Sequence, residues 1–146
     1  MHIIDRIIRP TAQETGAIID RVALTWEQRQ KSRQKLVTLQ GCAIALALAT
    51  GSQIRDGDLL PVPGGWIAVE LALEDILFVR PRSPQELAFV AYQIGNRHLP
   101  LEIADQGLKT LYEPALESYF RQRGIAAERA QQSFTPMSAT SGHRHP

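Results

Sequence analysis

Apolar residues in the first half of the chain fall in short runs broken by turn residues. Ile44, Leu46 and Leu48 alternate with alanines, and a period of two favours a strand over a helix. Turn residues that let the chain reverse lie at Gln40-Gly41, Asp56-Gly57 and Pro63-Gly64-Gly65. Short strands separated by turns predict a small β-domain over residues 1–73.

The second half of the chain alternates strands with helices. Ile76 to Val79 predicts a strand, and Ser83 followed by Pro84 has the pattern of a capped helix start. The apolar residues that follow are spaced as one helical stripe: Leu87, Val90, Ala91 and Ile94. We expect Gly95 to end this helix in a left-handed conformation.

Two more strands, Leu99 to Ala104 and Leu108 to Tyr112, precede a second helix that runs from about Pro114 to Gly124. With a last extended segment, this order is the split βαβ of ferredoxin-like domains, predicted over residues 74–136. Residues 137–146 hold almost no core-forming side chains and predict a disordered tail. The predicted class is therefore α+β: an N-terminal β-domain, a ferredoxin-like βαββαβ domain and a flexible tail.

Composition and charge narrow the class of protein. The 146 residues are 44% hydrophobic and 21% charged, which is typical of a globular protein. Sixteen basic residues oppose fifteen acidic ones, so no net field favours nucleic acid. The longest apolar run, Cys42 to Ala49, is far shorter than the roughly 20 residues of a membrane-spanning helix. We expect neither nucleic acid nor a membrane as partner.

The single cysteine, Cys42, cannot form an internal disulfide, which favours a reducing, cytoplasmic location. Its alanine-rich surroundings predict a buried, inert thiol. The sequence contains no phosphate-binding loop, no nucleophile elbow and no H-E-x-x-H helix. Catalysis is disfavoured, although an unrecognised carboxylate site is an alternative.

The candidate metal ligands are three of the four histidines: His98, His143 and His145. His98 follows a helix end and precedes Pro100, which places it at a surface corner. One imidazole cannot hold a divalent ion alone, but a two-fold dimer would supply a second His98. A helix-capping role for His98 is the alternative. The tail pair can chelate nickel, copper or zinc weakly, or belong to a solubilising tail. His2 is interpreted as a surface residue.

A run of basic residues, Arg29, Lys31, Arg33 and Lys35, interrupts the first domain. It is typical of a solvated face, and it is also a candidate contact for an acidic partner.

Four segments, in order, resemble one family, the urease accessory protein UreE. They are Leu24 to Arg33, Ile54 to Asp58, Ala91 to His98, and Phe134 to Pro136 before a histidine-bearing tail. Each segment alone is weak evidence, but their order and spacing are specific. The resemblance covers the chain from about Leu24 to its C-terminus.

The resemblance implies a homodimeric nickel carrier, not an enzyme, that helps to load the urease active site. It implies that His98 binds nickel across the dimer interface, with His143 and His145 as further ligands and zinc or copper as competitors. Implied partners are the urease apoprotein and other accessory proteins, including one that hydrolyses GTP. Many relatives carry a further histidine where this chain has Tyr112 or Pro114, and only Glu113 could offer a ligand there. The alternative is a protein-interaction module whose metal binding is incidental.

Overall fold

The computed structural model describes residues 1–10 and 16–137. The chain separates into two compact units, the first Met1–Ala72 and the second beginning at Leu73. Both contain sheets and helices, so the predicted α+β class is confirmed. The predicted tail falls outside the described residues from position 138 onward.

The first unit consists of two three-stranded sheets. Its elements are β1 (His2–Ile4), β2 (Ile18–Leu24), α1 (Trp26–Arg29), β3 (Arg33–Val37), β4 (Ala43–Ala47), β5 (Leu59–Val62) and β6 (Gly65–Leu71). One sheet has the order β1-β4-β3 and the other β2-β6-β5, each with one parallel and one antiparallel pairing. Both sheets contribute side chains to one apolar cluster, which includes Ile44, Leu46 and Leu48. The alternation in the sequence therefore identified the buried face of β4 and the residue that follows it.

The prediction of a buried thiol was wrong, because Cys42 is exposed. It lies in the turn between β3 and β4, where its backbone nitrogen donates to Thr38 Oγ1 (3.0 Å). The apolar run begins one residue too early for burial, since only the even-numbered positions from Ile44 onward face the core.

The second unit has the predicted element order. Its elements are β7 (Glu74–Arg80), α2 (Pro84–Asn96), β8 (Glu102–Ala104), β9 (Gly107–Leu111), α3 (Pro114–Gln122) and β10 (Ala126–Gln132). The antiparallel sheet has the order β10-β7-β9-β8, the ferredoxin-like arrangement. Both helices pack their apolar faces on one side of this sheet, through Val90 and Ile94 of α2 and Leu116 and Phe120 of α3.

Helix starts were predicted better than one helix end. Ser83 Oγ accepts from the Glu86 nitrogen (3.1 Å), and Pro84 occupies the first turn, as expected. Gly95, however, lies inside α2 and does not end it; the left-handed residue is His98, with φ 58°. No helix in the described ranges is long and apolar enough to cross a membrane.

Candidate metal centre

His98 occupies the turn that ends α2. Its nitrogen donates to the Gly95 oxygen (2.9 Å), and the Leu99 nitrogen donates to the Ile94 oxygen (3.3 Å). These two bonds form a Schellman motif, in which the left-handed residue is usually glycine. Leu99 then packs against the apolar cluster that contains Ile94. The turn is thus held by two hydrogen bonds and one apolar contact.

A histidine in this conformation is a departure from the usual pattern. Within residues 1–10 and 16–137, His98 is the one non-glycine residue with a positive φ. Its Cβ crowds the following carbonyl, at a cost of about 1 kcal/mol. The side chain is exposed, and the imidazole makes no hydrogen bond or ion pair with the residues that the structure describes. Packing within the described chain therefore does not account for a histidine at this position.

A position without a side chain lies three residues before His98. Gly95 is exposed, and a Cβ placed on it would meet nothing within 4 Å. Tyr92, on the same helix, is 66% exposed. Glycine in a helix is about 0.5–1 kcal/mol less favourable than alanine. The packing of this chain therefore gives no reason for glycine at position 95.

After β10 the chain returns across the sheet toward the loop that carries His98. Lys109 Nζ donates to the Ser133 oxygen (3.1 Å), and the Thr135 nitrogen donates to Glu102 Oε1 (2.7 Å). Phe134 is fully buried between these contacts, which contributes about 1.5–3 kcal/mol. The Met137 nitrogen donates to the oxygen of Leu101 (2.8 Å), and Leu101 lies three residues after His98 in the chain. The last described residue is thus hydrogen-bonded to the segment that follows His98.

His143 and His145 lie outside the described residues. Within the described part of the chain, no three potential metal ligands of the histidine, cysteine, aspartate or glutamate type come together. His98 is therefore not part of a ready-made site of three such ligands within the described residues.

Tyr112 lies at a position where the resemblance to UreE suggested a further histidine. Its side chain belongs to a hydrogen-bonded network. Its hydroxyl donates to Glu117 Oε1 (2.9 Å), which raises the Tyr112 pKa. Arg129 lies over the Tyr112 ring (4.2 Å) and donates twice to Asp75 (both 2.8 Å). The hydrogen bond from Arg129 lowers the pKa of Asp75. These contacts fasten α3 to β7 and β10.

Glu113, the possible substitute ligand, precedes α3 and caps it through backbone atoms alone. Its oxygen accepts from the nitrogens of Leu116 and Glu117 (3.1 Å each), and its side chain makes no capping bond.

The basic run of the first unit is not one continuous surface. Arg29 is only 4% exposed, and its Nη1 donates to the Leu24 oxygen (2.8 Å). Lys31, Arg33 and Lys35 are exposed. Arg29 is buried because Thr25 and Gln28 form a capping box that starts α1 and turns the arginine inward. Arg29 is therefore removed from the candidate partner contact, which is reduced to the three exposed residues.

Sequence reasoning missed the left-handed His98 and the path of Ser133 to Met137. A signal for the first was present, because Ile94 and Leu99 have the five-residue spacing of the apolar pair in a Schellman motif. The second depends on hydrogen bonds between residues 24 and 33 positions apart, which local patterns do not reveal.

The fold and the exposed histidine define a two-domain protein: a β-domain followed by a ferredoxin-like domain with a candidate metal ligand at a helix end. Family models agree over nearly all of the chain. Residues 2–72 match the N-terminal domain of UreE urease accessory protein, and residues 74–146 match its C-terminal domain. The chain belongs to the UreE family of urease accessory proteins.

Curated relatives give the same result. The urease accessory protein UreE of Cupriavidus necator is 38% identical over 86% of this chain and 67% of its own length. The UreE protein of Paraburkholderia xenovorans is 32% identical over 99% of this chain and 67% of its own length. The UreE protein of Burkholderia mallei is 35% identical over 99% of this chain and 74% of its own length. The name of the family describes an accessory protein of urease and not a catalyst.

Proposed function

We propose that this chain is a nickel metallochaperone for urease, and that His98 is its principal nickel ligand. The observation that carries the proposal is the conformation of His98: an exposed imidazole at a position where the backbone favours glycine. Strain at one residue is commonly associated with function. Nickel accepts imidazole nitrogen readily, and an exposed site allows the ligand exchange that delivery requires.

The second ligand comes from a second copy of the chain. A two-fold axis near His98 brings the same imidazole from the partner into reach. Gly95 supports this arrangement, because the absence of a side chain lets another backbone approach closely, and Tyr92 offers an exposed aromatic contact. We therefore propose a homodimer with one nickel ion between two copies of His98.

The tail supplies further ligands. Leu101, the hydrogen-bond partner of Met137, is three residues from His98, a span of at most about 11 Å. From Met137 to His143 the chain can extend about 20 Å. His143 and His145 can therefore reach the same ion. Because a tail loses conformational entropy on binding, its contribution is smaller than that of His98.

The remaining roles complete the proposal. The second domain, residues 74–136, binds metal and dimerises, while the first, residues 1–73, contacts protein partners. Those partners are the urease apoprotein and its accessory proteins, including the one that hydrolyses GTP. The chain acts in the cytoplasm and does not itself catalyse a reaction, and zinc and copper compete for the site because they share its preference for nitrogen.

Nickel titration calorimetry tests this proposal with matched variants. His98→Asn removes the imidazole but keeps a residue that tolerates the left-handed conformation; His2→Asn is the control at another exposed histidine. We expect one nickel per two chains in the parent and the control. In His98→Asn, nickel affinity should fall by more than about a hundredfold, which exceeds the roughly 10- to 100-fold loss seen when a residue that only orients a ligand is changed. In a chain that ends at Met137, the loss should be smaller.

Equal nickel binding by His98→Asn and the parent would contradict the proposal. The tail histidines or a role as a protein-interaction module would then become the leading explanation. Lowering the pH from neutral should weaken nickel binding in the parent, because a protonated imidazole cannot bind metal.

A further inference from the structure

Most of the lysine and arginine side chains in the described part of the second unit form ion pairs within the chain. In its described part, five of seven pair with a carboxylate: Arg80 with Glu128, Arg82 with Glu86, Lys109 with Glu102, Arg121 with Glu117 and Arg129 with Asp75. The two exceptions are Arg97 and Arg123. No carboxylate of the described residues forms an ion pair with either.

These two arginines share one aromatic ring. The guanidinium carbon of Arg97 lies 5.0 Å from the centre of the Tyr119 ring, and that of Arg123 lies 3.7 Å from it. Phe89 stacks on Tyr119 at 6.3 Å and supports the ring. Contact with the ring holds both cations in place without neutralising their charge. We call Arg97, Tyr119 and Arg123 the arginine pair site.

Most donors of the arginine pair site are unused within the described part of the chain. Each guanidinium carries five N–H donors. Arg97 donates to Gln93 Oε1 (3.3 Å), and Arg123 donates to the Tyr119 oxygen (3.4 Å). Arg123 is exposed and Arg97 half-buried, so both remain accessible from solvent. Each guanidinium therefore keeps donors with which it can bind a carboxylate.

We propose that the arginine pair site binds a carboxylate on the protein that receives nickel from His98, an inference that rests on the nickel-carrier function proposed above. Acidic residues around a metal site raise the local concentration of a divalent cation, which favours carboxylates on the surface of a nickel recipient. Arginine recognises carboxylates through paired hydrogen bonds. Because Arg97 directly precedes His98, a carboxylate held there brings the recipient against the nickel ligand.

The experiment measures complex formation between the nickel-loaded full chain and the purified GTP-hydrolysing accessory protein, at low and high salt. The variants are Arg123→Gln, which removes the charge, and Arg123→Glu, which reverses it. Arg55→Gln and Arg55→Glu are the matched controls, because Arg55 is exposed and its side chain makes no hydrogen bond or ion pair within the described part of the chain. Nickel binding and thermal unfolding are measured on the same samples.

For Arg123→Gln we expect a Kd about tenfold weaker, a larger loss for Arg123→Glu, and a reduced dependence on salt. Nickel stoichiometry and the unfolding temperature should remain those of the parent. An unchanged Kd in Arg123→Glu, or an equal loss in Arg55→Glu, would overturn the proposal. So would binding of GTP alone that disappears in Arg123→Gln, because the ligand would then be a phosphate.

The same experiment distinguishes failure of the arginine pair site from failure of the proposed nickel-carrier function. A parent chain that binds no nickel contradicts that function, while the Kd of the metal-free complex still tests the arginine pair site.

Discussion

The two helices of the second unit end in the same turn but with different residues. In α3, the Gly124 nitrogen donates to the Arg121 oxygen and the Ile125 nitrogen donates to the Phe120 oxygen (3.0 Å each), and Gly124 has φ 72°. In α2, His98 takes the place of Gly124, with the same pair of bonds and φ 58°. The C-terminal turns of both helices therefore require a left-handed residue. Glycine fills that position in α3, and histidine fills it in α2.

Glycine appears in α2 where the backbone does not require it. Position 95 of α2 corresponds to Arg121 of α3, and both lie in the last helical turn. Arg121 pairs with Glu117 (3.2 Å), a local stabilising contact. The end of α3 thus follows the ordinary rules of helix stability. The end of α2 departs from them twice, with an exposed imidazole and an uncovered backbone, and the proposed nickel site between two chains would account for both departures.

The largest stability effect should come from giving α3 the residue that α2 has. Gly124→His places a Cβ at φ 72° and should lower the free energy of unfolding by about 1–2 kcal/mol. Urea denaturation measures this change. The variant should gain no nickel site, because the imidazole at the end of α3 lacks a partner. An unchanged free energy of unfolding would mean that the left-handed position carries no strain, which removes the basis of the comparison.

A smaller effect is expected at Gly95. Gly95→Ala should favour the folded chain by about 0.5–1 kcal/mol, because the added methyl group meets nothing in the chain and alanine is the better helix residue. The same methyl group should weaken dimerisation, which sedimentation equilibrium measures. Dimerisation at the parental strength would show that Gly95 does not lie at the interface.

The smallest effect concerns the network that fastens α3, and it appears only in acid. Arg129 lowers the pKa of Asp75 below its ordinary value of 3.8. A carboxylate with a lowered pKa in the folded state stabilises the protein above the unfolded value, and this contribution is lost as the pH falls through the folded pKa. The stability lost in Asp75→Asn should be constant above about pH 5 and should vanish in stronger acid. If Asp75→Asn lost the same stability in strong acid, the loss would be due to packing and not to the charge of Asp75.

Local chemistry explains which parts of the fold could be predicted. Ser83, Pro84, Pro114 and Gly124 act within one turn of the chain, and each marks a helix boundary in the structure as expected. The end of α2 was misplaced because Gly95 is a plausible terminator by itself, while the actual end depends on where Leu99 reaches the core. Local preference was overridden there by tertiary packing.

The candidate site was predictable only in part. His98 could be singled out by its place between a helix and a proline, and the resemblance to UreE gave it a role. The return of residues 133–137 to Leu101 was not predictable, because it depends on the burial of Phe134 and on contacts between distant residues. Burial of Arg29 was missed for a related reason, since α1 has only four residues and its capping box was not recognised.

His98→Gly tests the central claim most directly, because it gives α2 the residue of α3. Nickel titration and urea denaturation would be measured on the same preparation, beside the parent. We predict that the free energy of unfolding rises by about 1 kcal/mol as the strain is relieved, while the nickel site shared by two chains is lost. A variant that is more stable and still binds one nickel per dimer would contradict the account, because the strain at His98 would then have no connection with nickel binding.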